Sequence, residues 1–296
     1  MSLSTGSSVS AYLKLTLLFA ILGGIFVALG FVIGGLELAT WFLFFALGLN
    51  FIMYFVSDKL VLATTGAKVV SEEEAPRLHA IVSRLASQAG IPKPKVAIVK
   101  SPQPNAFATG RNKNNAVVAA TTGLLNIMND DEVEAVLAHE IGHVVHRDML
   151  VSTVAASIAT AISYIGQIVM LMVLFGGGGR DRDSGGRSLA ALGAAILAPL
   201  AATFVQLAIS RSREYYADEA SAVLTGRPRS LIRALSKIEE MIYRGAPLNT
   251  SPSTASLWIA NPFRGNGLLE LFSTHPSTQN RIRRLEEIAY KMGVPY

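Results

Sequence analysis

Four long apolar stretches alternate with two polar blocks along this chain. The apolar stretches cover residues 13–36, 38–56, 151–175 and 189–209, each close to the ~20 residues needed to cross the hydrocarbon core of a bilayer. They fall in two pairs, which predicts two transmembrane hairpins. The first stretch is too long, and too weakly flanked by basic residues, for a cleaved signal peptide, and reads as a retained anchor. The expected domains are therefore a hairpin at 1–56, a polar block at 57–150, a second hairpin at 151–210 and a second polar block at 211–296.

Shorter periodicities organise the polar blocks. Residues 72–89 predict a helix, closed by the turn Gly90-Ile91-Pro92-Lys93-Pro94. Residues 96–99 and 116–120 predict short strands, with Asn112, Lys113, Asn114 and Asn115 supplying turn chemistry between them. A helix follows from Asp130, with acids in its first turn and apolar residues at helical spacing. The second block reads as helical at both ends around a Pro-, Ser- and Asn-containing loop at 245–267. The glycine run at 176–179, continued by 180–186, reads as a flexible loop between the last two apolar stretches.

Composition supports membrane insertion. Only 16% of residues are charged and 51% are hydrophobic, against about 25% charged in soluble domains; the mean hydropathy is +0.41. The net charge is +5. The clearest basic run, Arg281, Arg283 and Arg284 with Lys291, alternates with apolar residues and predicts a solvated helix face. Such a face can also contact anionic lipid headgroups; no nucleic-acid recognition motif accompanies it, and nucleic acid is not expected as a partner. With no cysteine, neither a disulfide nor a thiolate metal site is available.

The chemistry lies in Ala138-His139-Glu140-Ile141-Gly142-His143. On a helix, residues four apart lie about 40° apart on one face, one turn apart along the axis. His139 and His143 can thus bind one zinc, with Glu140 placed to act on a water. Gly142 keeps the wall of the cleft thin. A catalytic zinc needs a third protein ligand and an open position. His146 lies roughly 10 Å from His139 along a straight helix, too far to share the ion, and reads as structural. A better candidate is Glu214 with Asp218 in Ser212-Arg213-Glu214-Tyr215-Tyr216-Ala217-Asp218, the same i, i+4 geometry on a second helix. Glu214 can bind zinc while Asp218 accepts a hydrogen bond from a ligand imidazole. The alternative is a charged surface turn paired with Arg211 and Arg213.

Charge also orients the chain. No Lys or Arg falls at 34–40, whereas Lys59, Lys68, Arg77 and Arg84 follow the second stretch. The positive-inside rule then puts both termini and both polar blocks in the cytoplasm. Arg180, Arg182 and Arg187 argue weakly the other way, partly offset by Asp181 and Asp183. A metal site shared between the two blocks requires an even number of crossings between them, which two spans satisfy.

His139-Glu140-Ile141-Gly142-His143, Glu214-Tyr215-Tyr216-Ala217-Asp218, Asn105-Ala106-Phe107-Ala108 and Thr274-His275-Pro276-Ser277 with Arg281-Ile282 together resemble the HtpX family of membrane-bound heat-shock zinc metalloproteases, related to the CAAX prenyl proteases. The resemblance spans essentially the whole chain. It implies an α+β, mostly helical, zincin-like metalloprotease domain with four transmembrane helices in two hairpins. By that resemblance one Zn2+ per chain is held by His139, His143 and Glu214, and Glu140 is the catalytic base. Asn105, Ala106 and Phe107 would form an edge strand that holds substrate, and His275 would line the cleft. A Thr-His-Pro-Ser turn capping the last helix explains His275 nearly as well.

The expected function is an integral-membrane zinc endopeptidase in a bacterial or archaeal cell membrane. It would cleave misfolded or damaged membrane proteins at the cytoplasmic face as part of quality control under stress. The rival readings are a CAAX-type prenyl protease, for which four apolar stretches are few, and a non-catalytic membrane scaffold, which has no reason to keep Glu140.

Overall fold

A computed structural model of the chain describes residues 8–146, 148–175, 211–248, 250–262 and 276–294. The fourth apolar stretch, the glycine-rich loop before it and His275 lie outside the described residues. The architecture is mostly helical, with one small four-stranded sheet.

Helix α1 (Ser8–Thr65) is two helices broken at Gly34 and Gly35, where φ is −148° and +66°. The positive φ of Gly35 is open to glycine and strained for other residues. The two arms then pack on each other: Asn50 Nδ2 donates to the Phe19 carbonyl at 3.2 Å, and the Phe26 ring meets Phe45 edge-on at 5.3 Å. Residues 11–28 and 34–65 are both long and apolar enough to cross a membrane. Their outer faces expose Leu13, Leu36, Trp41, Phe44 and Phe51, a surface that water disfavours and lipid accepts. The second arm runs past the apolar boundary expected at 56, through Asp58 and Lys59, to Thr65.

The sheet has the order β1-β2-β4-β3, from β1 (Ala67–Val69), β2 (Lys95–Val99), β3 (Ala106–Gly110) and β4 (Ala116–Thr121). β2 and β4 are parallel; the two outer pairings are antiparallel. Because side chains alternate along a strand, the sheet has two apolar faces. Val96, Ala108, Val118 and Ala120 pack onto the main helical core, with Leu78, Leu85, Val136 and Ile141. Ala97, Val99, Phe107, Val117 and Ala119 face the other way, onto Val61 of α1, Ala156 and Trp258. The sheet therefore sits between the main helical core and the end of α1.

Helix α2 (Pro76–Gln88) starts four residues later than the expected 72. Ser71 and Glu74 close a turn of their own, each side chain accepting the other's backbone N–H, and Pro76 suits a first helical position. After the short α3 (Thr122–Ile127), α4 (Asp130–His146) opens with a capping box. Asn129 and Glu132 each accept the other's backbone N–H, at 3.0 and 3.1 Å. Glu132 also receives Lys237 Nζ at 2.7 Å from α7 (Pro228–Tyr243). Helix α5 (Asp148–Phe175) leaves α4 almost at once, and its Leu150, Val151, Val154 and Ile158 pack onto Ala11, Leu15, Leu18 and Leu22 of α1. Helices α6 (Arg211–Thr225) and α8 (Thr278–Lys291) complete the description. The region read as a loop around 245–267 contains a 3₁₀ turn (Pro252–Leu257) and an isolated antiparallel bridge from Trp258 to Phe107.

Candidate metal centre

Helix α4 presents His139 and His143 on one face, with their Nε2 atoms 3.2 Å apart. Helix α6 brings Glu214 against both: Oε2 lies 3.7 Å from His139 Nε2, and Oε1 lies 3.5 Å from His143 Nε2. One ligand atom from each of the three residues falls within 4.8 Å of the others. A tetrahedral zinc with bonds of about 2.0–2.1 Å separates its ligands by about 3.3 Å, so these spacings fit such an ion with small adjustments. Two neutral imidazoles and one carboxylate are the donor set of a catalytic site with an open fourth position.

The two helices meet at small residues. A Cβ on Gly142 would lie 3.0 Å from Ala220 Cβ and 3.1 Å from Ala217 Cα, and Ser221 Oγ donates to the Ala135 carbonyl at 2.7 Å. Gly142 thus sets the distance between α4 and α6; it does not thin a cleft wall. Gly142→Ala is expected to lower the melting temperature and weaken metal affinity. Overpacking of about 1–3 kcal/mol outweighs the ~1 kcal/mol that alanine gains in a helix. Melting curves with and without added zinc test this; an unchanged midpoint would show that the helices have room to part.

Asp218, fully buried, places Oδ1 2.9 Å from His139 Nδ1. Accepting that N–H leaves Nε2 with its lone pair toward the ligand cluster. Arg281 Nη2 also lies 3.3 Å from Nδ1, but a guanidinium only donates, so an Nδ1–H has the Asp218 carboxylate as its acceptor. Arg281 grips Asp218 with two hydrogen bonds, Nε to Oδ2 at 2.9 Å and Nη2 to Oδ1 at 2.6 Å, and gives Nη1 to the Ile259 carbonyl at 2.7 Å. Burial alone would push the Asp218 carboxyl up, but Arg281 and His139 outweigh it and hold the group low. The same pairing raises Arg281 against its own burial. Burial, helped by Arg281, pushes the His139 imidazole down to about 4, so it is neutral and able to ligate. Glu140, only 1% exposed, is pushed up to about 8 by burial, with Glu214 adding to the rise. His143, Arg281 and the Ala108 backbone amide pull the other way. Its Oε1 has no hydrogen-bond partner among the described residues.

Arg281 corrects the reading of its basic run. Arg283 and Arg284 are exposed, as expected of a solvated face, but Arg281 is 2% exposed and lies in the site. The signal is in the spacing: Arg281 shares a helical stripe with Leu285, Ile288 and Ala289, all buried. His146 is buried with Nδ1 2.8 Å from the Gly142 carbonyl, which fits a structural part. Ala106 and Phe107 lie in β3 at the outer edge of the sheet, with Asn105 just before it, and all three are fully buried. There the chain's own residues 258–260 cover them. His275 is outside the described residues.

The sequence profile described as Peptidase family M48 matches residues 72–289. The chain is 52% identical over 287 residues to a Protease HtpX homolog of Pyrococcus furiosus, covering 97% of this chain and 99% of the relative. A Protease HtpX homolog of Aquifex aeolicus is 48% identical over 274 residues, covering 91% and 90%. Among solved structures, the crystal structure of S. mikatae Ste24p matches with a TM-score of 0.47 and 22% identity, covering 94% of this chain and 65% of that one. The chain belongs to peptidase family M48, as a metalloprotease of the HtpX type.

Proposed function

We propose that this metalloprotease is an integral-membrane zinc endopeptidase that cleaves misfolded or damaged membrane proteins at the cytoplasmic face. His139, His143 and Glu214 hold the ion, Glu140 is the base, Asp218 positions His139, and Asn105, Ala106 and Phe107 belong to the edge that takes an extended substrate. His275 is retained as a residue lining the cleft. The observation that carries the reading is the junction of α4 and α5. His143 precedes the apolar stretch beginning at 151 by eight residues, about 12 Å of helix, and the start of α5 packs directly onto α1. A site so close to an apolar hairpin favours substrates presented at a bilayer surface.

His139, His143 and Glu214 would hold a zinc, which when bound would lower the pKa of a water from about 15.7 toward 7 and offer a positive centre to a developing oxyanion. Glu140 takes a proton as the C–O bond forms and returns it to the leaving nitrogen as the C–N bond breaks. Asp218 keeps His139 in one tautomer throughout, and Arg281 keeps Asp218 charged. Backbone pairing along β3 holds a peptide extended with little regard to its side chains.

Reconstitution in vesicles with a multispanning substrate tests orientation and preference together. Cuts are expected in loops on the side of Lys59 and Arg77, and faster on the membrane protein than on an unfolded soluble one at equal concentration. Cuts mainly on the opposite face would overturn the orientation. A farnesylated peptide cleaved much faster than its unmodified twin would favour a prenyl protease instead.

A further inference from the structure

The residues that cover β3 treat it as a substrate would. We propose that Trp258-Ile259-Ala260 is a built-in occupant of the substrate groove, and that cleavage of another chain requires its release. This rests on the reading that the β3 edge holds substrate. Ile259 N–H donates to the Ala106 carbonyl at 2.9 Å, and the Ile259 carbonyl accepts Arg281 Nη1 at 2.7 Å. Ala260 N–H donates to Asn105 Oδ1 at 3.3 Å, and its carbonyl accepts Asn105 Nδ2 at 2.9 Å. Four backbone groups of two successive residues are thus all met, by one strand carbonyl, one amide side chain and one guanidinium. The bridge between Phe107 and Trp258 is antiparallel. Recognition through backbone alone suits any extended peptide equally well.

Position strengthens the case. The guanidinium holding the Ile259 carbonyl also binds Asp218 and lies 3.8 Å from Glu214. Two residues along the same strand, about 6.6 Å at 3.3 Å per residue, the Ala108 amide acts on Glu140. A strand paired with this edge therefore delivers its backbone beside both the base and the ligands, and the edge cannot take two strands at once. Trp258 stacks edge-on against Phe107 at 4.8 Å, is fully buried, and leaves its Nε1–H without a partner among the described residues. A permanent core rarely tolerates such an unpaired donor; a segment that exchanges with substrate has no need to satisfy it.

With the groove occupied at rest, apparent substrate affinity is the intrinsic affinity reduced by the fraction of chains whose segment is released. Ile259→Pro removes the N–H given to Ala106 and is expected to lower KM about tenfold, with kcat changed less than twofold. An unchanged or higher KM, in protein with parental zinc content, would overturn the proposal.

A direct measurement does not depend on that variant. Trp41 and Trp258 are the two tryptophans, so the full chain carrying Trp41→Phe and Glu140→Ala, loaded with zinc in detergent, reports on Trp258 alone. A tryptophan-free decapeptide labelled with fluorescein is titrated in, its binding read by anisotropy. As it binds, Trp258 emission is expected to shift to the red and its quenching by acrylamide to rise. Binding with unchanged emission and quenching would show that 258–260 is a permanent fifth strand, overturning the proposal while leaving an edge that binds peptide elsewhere. No binding, to this protein or to the Ile259→Pro form, would sink the edge reading and this inference with it.

Discussion

Glu140→Ala is expected to cut peptide hydrolysis by about 10²–10⁴-fold, the usual contribution of a positioned acid–base group, while zinc stays bound. The two effects separate because Glu140 stands beside the ligand cluster without belonging to it: His139, His143 and Glu214 form the group that can hold an ion. Its carboxyl is buried, and the Ala108 amide and the Glu214 carboxylate both act on it. Removing it takes away a proton carrier and leaves the ligand spacing alone. Metal analysis of the purified variant, alongside hydrolysis of an unfolded protein, gives both readouts. Activity at the parental level would mean that another group carries the proton.

Glu214→Ala is expected to lose both metal and activity, since a catalytic zinc takes three protein ligands and two imidazoles alone would remain. Asp218→Asn should behave differently and weaken metal affinity by about 10–100-fold, the effect typical of a partner that orients a ligand. The contact with His139 would survive in amide form, but Arg281 would lose its nearest counter-charge, so thermal stability should fall as well. Equilibrium zinc titration of the two variants compares them. If the Asp218 variant lost all zinc and the Glu214 variant kept it, the two roles would be exchanged.

The parts of this site written in local spacing are legible in the sequence itself. His139 and His143 stand one helical turn apart, Glu214 and Asp218 repeat that spacing, and the acids opening α4 announce its start. β2 and β4 are visible as short apolar runs between turn residues. What escapes depends on distant partners. β1 is three residues long and exists because β2 pairs with it. The second arm of α1 passes its apolar limit because Val61 finds the underside of the sheet. Charge alone makes Arg281 look solvated, although its place on an apolar stripe points inward; only a carboxylate 63 residues away, Asp218, makes burial of that charge tolerable. The segment 258–260 lies in a stretch whose Pro, Ser and Asn content reads as a loop, and pairing with an edge strand leaves no mark on composition.

The proposed metal ligands are split along the chain, and on that ligand set the split times the appearance of activity during synthesis. His143 leaves the ribosome 71 residues before Glu214 (214 − 143) and 138 before Arg281 (281 − 143). At roughly 5–20 residues per second, several seconds pass with two histidines made and no third ligand, and a similar interval follows before Asp218 gains its cation. In that interval the nascent chain cannot cut its neighbours or itself. A copy in which α4 and α6 failed to meet would leave Glu214 away from the two histidines and stay inert, so the docking of these two helices is itself a condition for becoming a protease.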